Sequence, residues 1–175
     1  MKRFVLELSA LALLACTAAA QTLELHGGYN VQHMTPANGA SLNFSGWTAG
    51  AQYNFTHYAK LPNLALAADF SGSYGKQSGV TLNHYVYLAG PRLTEDFGRV
   101  RIFEHVLIGN AQLTAKLGSM SDSTSSLAIA PGGGFDVKLS RRWSLCPAQF
   151  DWLVTNHGHN AQNSFRYSTG VVWKF

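Results

Sequence analysis

The residues with the most obvious chemical potential are the histidines, a serine-rich run and one acid–base neighbour pair. His157 and His159 form an i, i+2 pair that could bind a metal ion loosely, but without an adjacent Cys or carboxylate they indicate a solvated loop. The run 119–126 contains no G-x-S-x-G pattern of a hydrolase nucleophile. Glu104 and His105 are adjacent, so on a strand they would point to opposite faces. We therefore predict no catalytic residues, no metal ligands, no cofactor and no enzymatic activity.

The composition is unusual for a soluble domain. Charged residues make up 13 % of the 175-residue chain, roughly half of the ~25 % that is typical, yet the mean hydropathy is only −0.02. The net charge is +4, without a Lys/Arg cluster that has interleaved aromatic residues, which argues against nucleic-acid binding. This balance suits a sheet with one face toward lipid and the other toward a crowded polar interior.

The first twenty residues are typical of a secretory signal peptide. Two basic residues precede an apolar run, Phe4 to Ala15, that is too short to span a bilayer as a helix. Small residues at positions 18–20 predict cleavage before Gln21. The expected domains are thus a signal peptide, 1–20, and one mature domain, 21–175.

The alternative is lipoprotein processing at Cys16, because Leu13 to Cys16 form a loose lipobox. Both interpretations imply export into a Gram-negative-type envelope. After cleavage before Gln21 only Cys146 remains, which excludes an intrachain disulfide.

Alternation with a period of two recurs throughout the mature chain, and no long stretch has helical periodicity. The pattern predicts eight strands, at about 22–32, 44–55, 63–74, 80–92, 99–112, 126–139, 143–155 and 164–175. Between them, the segments predicted as short turns are 56–62, 93–98 and 140–142, and those predicted as mostly longer polar loops are 33–43, 75–79, 113–125 and 156–163. The two sets alternate, as they do in a transmembrane barrel with tight periplasmic turns and longer external loops.

The two faces of these strands differ in the way that a membrane barrel requires. In six of the eight strands the apolar face carries no charge, whereas the opposite face is mostly Gly, Ala, Ser, Thr, Asn and Gln, which suits the narrow interior of an eight-stranded barrel. Aromatic residues on the apolar face gather near strand ends, as in interfacial girdles: Trp47, Tyr53, Phe55, Tyr74, Phe165, Tyr167, Trp173 and Phe175. Closure is expected because an open edge in lipid would leave backbone groups unpaired.

The charged residues expected inside the barrel have a structural interpretation: we expect them to pair with one another, since unpaired buried charges are costly. These predicted lumen charges are Glu24, Asp69, Asp136, Lys138, Asp151, Arg166 and Lys174. The register predicts that Asp151 faces Arg166, and that Glu24 lies close to Lys174 where the first and last strands meet.

Two local features leave the register open. One of Glu104 and His105 must face lipid unless a bulge intervenes, and the alternation does not decide which. Cys146-Pro147 lies within the seventh strand, where proline removes a ladder donor and predicts a bulge or edge distortion.

The end of the chain alternates up to a terminal aromatic residue. Tyr167, Val171, Trp173 and Phe175 lie on the apolar face of the last predicted strand. This pattern looks like the C-terminal signature by which outer-membrane barrels are recognised for assembly.

Four segments together resemble the OmpA-like, eight-stranded outer-membrane β-barrel families, most closely the small stand-alone barrels. They are Ala89–Arg92 (AGPR), Phe103–Ala111 (FEHVLIGNA), Pro131–Leu145 (PGGGFDVKLSRRWSL) and Asn163–Phe175 (NSFRYSTGVVWKF). The similarity extends over nearly all of residues 22–175. Cys146-Pro147 and Glu104 depart from the pattern.

The resemblance implies an all-β, up-and-down transmembrane barrel in the outer membrane of a Gram-negative-type bacterium. The expected role is structural or surface interaction without a wide pore; the alternatives are a narrow porin-like channel for small solutes, a membrane-embedded lipid-modifying enzyme and a soluble ligand-binding barrel. The expected partners are outer-membrane lipids, the barrel-assembly machinery, periplasmic chaperones and an extracellular ligand of the loops.

Overall fold

The computed structural model describes residues 23–35, 41–55, 63–77, 80–118, 120–157 and 160–175. Their regular structure consists of eight strands: β1 (Leu23–Thr35), β2 (Leu42–Asn54), β3 (Asn63–Gln77), β4 (Val80–Phe97), β5 (Val100–Leu117), β6 (Met120–Lys138), β7 (Trp143–His157) and β8 (Asn160–Lys174). The predicted signal peptide, the Cys16 alternative and the cleavage position before Gln21 lie outside these residues. Among the described residues no helix is long and apolar enough to cross a membrane.

The strands form one closed barrel in which each pairs antiparallel with its sequence neighbours. β1 also pairs with β8, from Glu24 opposite Lys174 to Thr35 opposite Asn163, and this pairing closes the sheet. The predicted all-β, eight-stranded up-and-down barrel is therefore confirmed. Closure leaves no continuous open edge of unpaired backbone donors and acceptors.

Several predicted loops and one predicted turn were wrong, because they are largely strand. β5 continues to Leu117 and β6 begins at Met120, within the predicted loop 113–125. β3, β4, β7 and β8 likewise extend into the predicted loops 75–79 and 156–163, and β4 covers most of the predicted turn 93–98.

The physical reason is that polarity reports contact with water, not the loss of strand structure. In the β5–β6 hairpin the backbone ladder is complete, and polar side chains pair across it. Gln112 donates to Ser123 Oγ at 2.9 Å, and Ser125 donates to Asn110 Oδ1 at 2.6 Å. The polar segment is thus a strand pair that extends beyond the apolar part of the wall.

The β4–β5 connection is a tight turn that depends on one glycine. Phe97 pairs with Val100, and Gly98 has φ +65°. Only glycine adopts this left-handed conformation readily, as two-residue hairpins require. This turn and residues 139–142 lie at the same barrel end as both chain termini of the described sheet.

The irregularity predicted at Cys146-Pro147 is confirmed. The register of β7 with β8 shifts between Cys146 and Gln149, and that of β6 with β7 shifts between Phe135 and Val137. The carbonyl of Pro147 accepts a hydrogen bond from Tyr167 Oη at 2.7 Å. The distortion is therefore held in place by a side chain of the neighbouring strand.

β5 contains no such shift, which settles the facing of its acid–base pair. The pairing of β5 with β6 is continuous from Val100 to Leu117. His105 is buried, and Glu104 is exposed on the outer wall. Glu104 therefore interrupts an outward row that otherwise contains Ile102, Val106 and Ile108.

The two surfaces of the sheet have opposite character. Large apolar side chains cover the outside; among the most exposed are Leu127 and Phe165, at 60 % each. Buried polar and charged residues from the strands line the inside, including Asn30, Gln32, Asp69, Asp151 and Arg166 at 0 % exposure. This is the reverse of a soluble barrel, where the apolar face points inward.

Candidate functional site: the charged lumen and its outer wall

A charge network centred on Arg166 crosses the middle of the lumen. Arg166 Nε donates to Asp151 Oδ2 at 2.9 Å, as expected from their opposed positions on β7 and β8. The Arg166 Nη1 atom donates to Asp69 Oδ1 at 2.7 Å and to Ser71 Oγ at 2.8 Å on β3. The predicted Asp151–Arg166 register is confirmed, and the structure adds a second carboxylate from across the barrel.

Two histidines extend this network. His105 Nε2 lies 2.7 Å from Asp151 Oδ1, and His26 Nε2 lies 3.4 Å from Asp69 Oδ2. Gln149 also donates to Asp151, with Nε2 at 3.0 Å from Oδ2. Asp69 and Asp151 therefore each contact the Arg166 guanidinium and further polar groups, which offsets the cost of burying their charges.

A second charged layer lies at the barrel end where β1 begins and β8 ends. Glu24 lies opposite Lys174, in the predicted register, with Lys174 Nζ 3.5 Å from Glu24 Oε1. The closer cation is Arg101, whose Nη1 lies 2.7 and 2.8 Å from the two Glu24 oxygens. Arg101 Nε also donates to Asp96 Oδ1 at 3.1 Å.

Lys138 belongs to this end layer and is not enclosed in the lumen. Its Nζ lies 2.9 Å from Asp96 Oδ1, and its side chain is 32 % exposed. Lys138 was predicted as an inner-face charge; its position at the rim allows the ammonium group to keep part of its hydration.

Between the two charged layers, Arg92 and Asp136 flank a small internal cavity of about 30 Å³. The Arg92 guanidinium lies 4.5 Å from the centroid of the Phe103 ring, and its Nη1 donates to Gln52 Oε1 at 3.1 Å. Asp136 is buried, and within the described part of the chain no cation lies in ion-pair range of it. The expectation that every lumen charge pairs directly was therefore wrong for Asp136. The cavity has room for about one water molecule, which is enough to donate a hydrogen bond to the Asp136 carboxylate.

The remaining interior is filled by apolar side chains. Val86, Leu107 and Leu153 have 0 % exposure and belong to a cluster contributed by β3 to β7. Phe44 and Met34 are only 2 % and 1 % exposed, and they lie toward the barrel end opposite the β4–β5 turn. The sequence predicted a lumen of mostly small and polar residues, so this apolar packing was largely missed. The charges and the apolar side chains together occlude the lumen.

The lumen also contains four basic residues that were absent from the predicted lumen charges: His26, Arg92, Arg101 and His105. Alternation placed His26 on the inner face of the first strand and Arg92 on one of two semi-apolar faces of the fourth, and no rule identified their partners across the barrel. Arg101 and His105 share one face of β5, which could not be assigned while the facing of Glu104 was open. Had the sequence shown that the register of β5 is continuous, with Glu104 outward, Arg101 and His105 would both have been placed on the inner face.

His157 and His159, which were predicted to lie in a solvated loop and not to bind a metal ion, cannot be compared with the structure, because His159 and the side chain of His157 lie outside the described residues. Within the described ranges, no group of three or more His, Cys, Asp or Glu side chains could hold a metal ion.

The residues predicted as an assembly signal lie on the outer wall of β8. Tyr167 and Val171 are exposed, at 37 % and 41 %. Trp173 stacks on Trp143 with ring centroids 6.0 Å apart and contacts Phe175 at 4.2 Å. Trp143, Trp173 and Phe175 form an aromatic cluster at the barrel end where β1 begins and β8 ends.

The fold and the site define a class: a closed eight-stranded barrel with an apolar outer wall and an occluded, charged lumen. Neisserial surface protein A has this fold, at a TM-score of 0.74 and 15 % identity over 87 % of this chain and 97 % of that one. Ail, the attachment invasion locus protein of Yersinia pestis, has a TM-score of 0.64 and 14 % identity over 89 % and 99 % of the two chains. Ail in complex with the heparin analogue sucrose octasulfate gives 0.63, at 16 % identity over 87 % and 97 %.

These likenesses confirm the predicted resemblance to eight-stranded outer-membrane barrels at the level of the fold. No protein-family model and no curated protein matches the sequence.

Proposed function

We propose that this protein is an outer-membrane barrel with a structural or surface-interaction role, exported with cleavage of its signal peptide, and without a wide pore or an enzymatic activity. The observation that carries this proposal is the reversed polarity of the sheet: exposed apolar side chains outside and a buried Arg166 network inside. In water such an outer wall would be strongly unfavourable, whereas in a bilayer it replaces protein–water contact with lipid contact.

The occluded lumen supports a role other than wide-pore transport. Arg166, Asp69 and Asp151 join three strands across the interior, and Leu107 and Leu153 are packed beside them. Eight strands enclose only enough space for side chains to fill. A wide solute path would require this network to be displaced.

The β5–β6 hairpin is the best-supported region for contact with an external ligand. Its far end presents Asn110, Gln112, Thr114, Ser123 and Ser125, whose side chains are linked by hydrogen bonds. The sequence of this end is polar, and it extends past the apolar wall. Other proposed partners are outer-membrane lipids and, during export, periplasmic chaperones and the barrel-assembly machinery.

The test is to express the whole chain in a Gram-negative host, fractionate the membranes and compare boiled with unboiled samples by electrophoresis. We expect an outer-membrane protein whose mobility shifts on heating and whose circular dichroism is β-rich in micelles. A folded monomer in detergent-free buffer would refute the membrane proposal in favour of a soluble barrel.

Planar-bilayer recording of the same purified protein tests the absence of a wide pore. We expect no steady conductance from the wild-type barrel. Stable openings that persist at high protein purity would favour the narrow-channel alternative and contradict an occluded lumen.

A further inference from the structure

The outer wall contains one place where charge and an open groove coincide. Glu104 lies between Leu93 of β4 and Gly133 of β6 in the strand register. A groove of about 450 Å³ opens beside it, lined by Glu104, by His105 and by apolar residues of β3 to β6. A second groove, of about 190 Å³, shares Leu93 and Glu104 and extends to Glu95.

Small and ring-shaped residues create this groove. Gly133 contributes no side chain next to Glu104, and an added Cβ there would lie 2.7 Å from the backbone oxygen of Phe103, so a larger residue cannot fill the space without moving the strand. In the next row, Val106 lies between the compact rings of Pro91 and Pro131. The shape of the groove is therefore set by the positions of the strands and not by side-chain rotamers.

Glu104 lies on the outer wall at a height where its outward neighbours along the strand are apolar. It lies four residues from the start of β5, which places it about 10 Å above the β4–β5 turn for a tilted strand. Ile102 and Val106, its outward neighbours along the strand, are about half exposed. A carboxylate in such a position is unfavourable in lipid unless a cation or donor reaches it.

This protein supplies no such partner from within the described residues. No hydrogen bond or ion pair joins Glu104 or Glu95 to another described side chain. A second copy docked wall to wall would not supply one at the height of Glu104 either, because the exposed Lys and Arg residues of the described ranges lie in turns or within the last two residues of a strand. The missing cation must come from another molecule.

We propose that this groove binds a phospholipid with a primary-ammonium headgroup. The ammonium group would lie between Glu95 and Glu104, and an acyl chain would extend toward the membrane centre across the row of Pro91, Val106 and Pro131. Charge complementarity favours an ammonium over an anionic headgroup, and N–H donors favour it over a quaternary ammonium. The inference rests on the proposed membrane location.

The test is native mass spectrometry of the detergent-purified, membrane-derived protein with phosphatidylethanolamine, phosphatidylcholine and phosphatidylglycerol of identical acyl chains in equal amounts. We expect the wild-type protein to retain phosphatidylethanolamine about tenfold more than either competitor. The isosteric variant Glu104→Gln should lose this preference. Asp122→Asn, which makes the same charge change in the external hairpin, should keep it.

Val106→Trp tests the acyl-chain contact independently, since the indole would occupy the groove without altering either carboxylate. It should reduce retention of phosphatidylethanolamine while the barrel stays heat-modifiable. Equal retention of the three lipids by the wild type, or an unchanged preference in Glu104→Gln, would overturn the lipid inference alone. Absence of the protein from outer membranes would instead refute the proposed function.

Discussion

Arg166 and Asp69 are separated by 97 positions in the sequence, yet Arg166 Nη1 donates to Asp69 Oδ1 at 2.7 Å across the lumen. The two side chains have 0 % and 1 % exposure. Together with the Asp151 contact, this bond ties β3 to β7 and β8 through the barrel interior. Backbone pairing joins only neighbouring strands, so Arg166 supplies a connection that the sheet itself lacks.

Removal of the Arg166 guanidinium should be costly. Arg166→Met leaves Asp69 and Asp151 buried without their cation, and we expect the free energy of unfolding to fall by about 3–5 kcal/mol. Urea titration of the refolded barrel, followed by tryptophan fluorescence, measures this change. Lys116→Met, at the exposed end of β5, is the matched control and should change stability by less than about 0.5 kcal/mol.

The charge explanation can be separated from loss of packing. The triple variant Asp69→Asn, Asp151→Asn and Arg166→Met removes the cation and both carboxylates, so it should recover part of the lost stability. A triple variant as unstable as Arg166→Met would show that side-chain packing, and not an uncompensated charge, makes Arg166 important.

At the barrel end, the contact of Arg101 with Glu24 should stabilise the barrel more than the contact of Lys174 with Glu24. Arg101 contacts both oxygens of Glu24 at 2.7 and 2.8 Å, whereas Lys174 lies 3.5 Å away. We expect Arg101→Gln to lower the free energy of unfolding by about 1.5–3 kcal/mol, as for the loss of a hydrogen bond to a charged group. Lys174→Gln should lower it by less than about 1 kcal/mol. Double-mutant cycles with Glu24→Gln measure both couplings. A larger coupling for Lys174 would contradict this order.

These two networks show how far alternation along a strand can be taken. It placed Asp151, Arg166, Glu24 and Lys174 on the inner face, and hairpin or closure pairing then set the observed partners. Asp69 was also placed inside, but its contact with Arg166 depends on the diameter of the barrel and on side-chain reach. No local pattern encodes those quantities.

The errors have an equally specific cause. Thr114 and Ser123 lie in a segment that was predicted as loop because it is polar, yet their hydroxyl groups pair at 3.3 Å on adjacent strands. Water-exposed strands and loops share a composition, so sequence polarity locates the limit of the apolar wall better than it locates the end of a strand. The facing of Glu104 was undecided for a related reason: one charged residue had to face outward against the usual pattern.

Phe175 should matter for assembly of the barrel more than for its stability. Phe175 contacts only Trp173 among the described rings and is 43 % exposed. We expect Phe175→Ala to reduce the amount of barrel in the outer membrane several-fold, while the purified variant refolds in micelles as the wild type does. Phe165→Ala is the control, since Phe165 is an exposed aromatic residue of the same strand face, at 60 % exposure. Equal membrane levels of the two variants would contradict an assembly role.

The closure of the barrel should depend on Gly28. Gly28 lies opposite Gly170 at the β1–β8 seam, and an added Cβ would lie 2.6 Å from the Gly170 Cα and would also overlap the backbone oxygen of Thr169. Because both obstacles are backbone atoms of the neighbouring strand, Gly28→Ala must separate β1 from β8 locally. We expect it to reduce the free energy of unfolding by about 3 kcal/mol, the upper end of the range for overpacking.

Gly27→Ala is the matched control, because the nearest atom to its added Cβ is the Thr48 backbone oxygen at 3.9 Å, an ordinary contact. It should be neutral or slightly stabilising, since alanine loses less backbone entropy than glycine on folding. Denaturant titration of both variants in the same micelles gives the comparison. Equal stabilities would mean that the seam can widen at little cost, and the close approach of β1 and β8 at Gly28 would then not be required for closure.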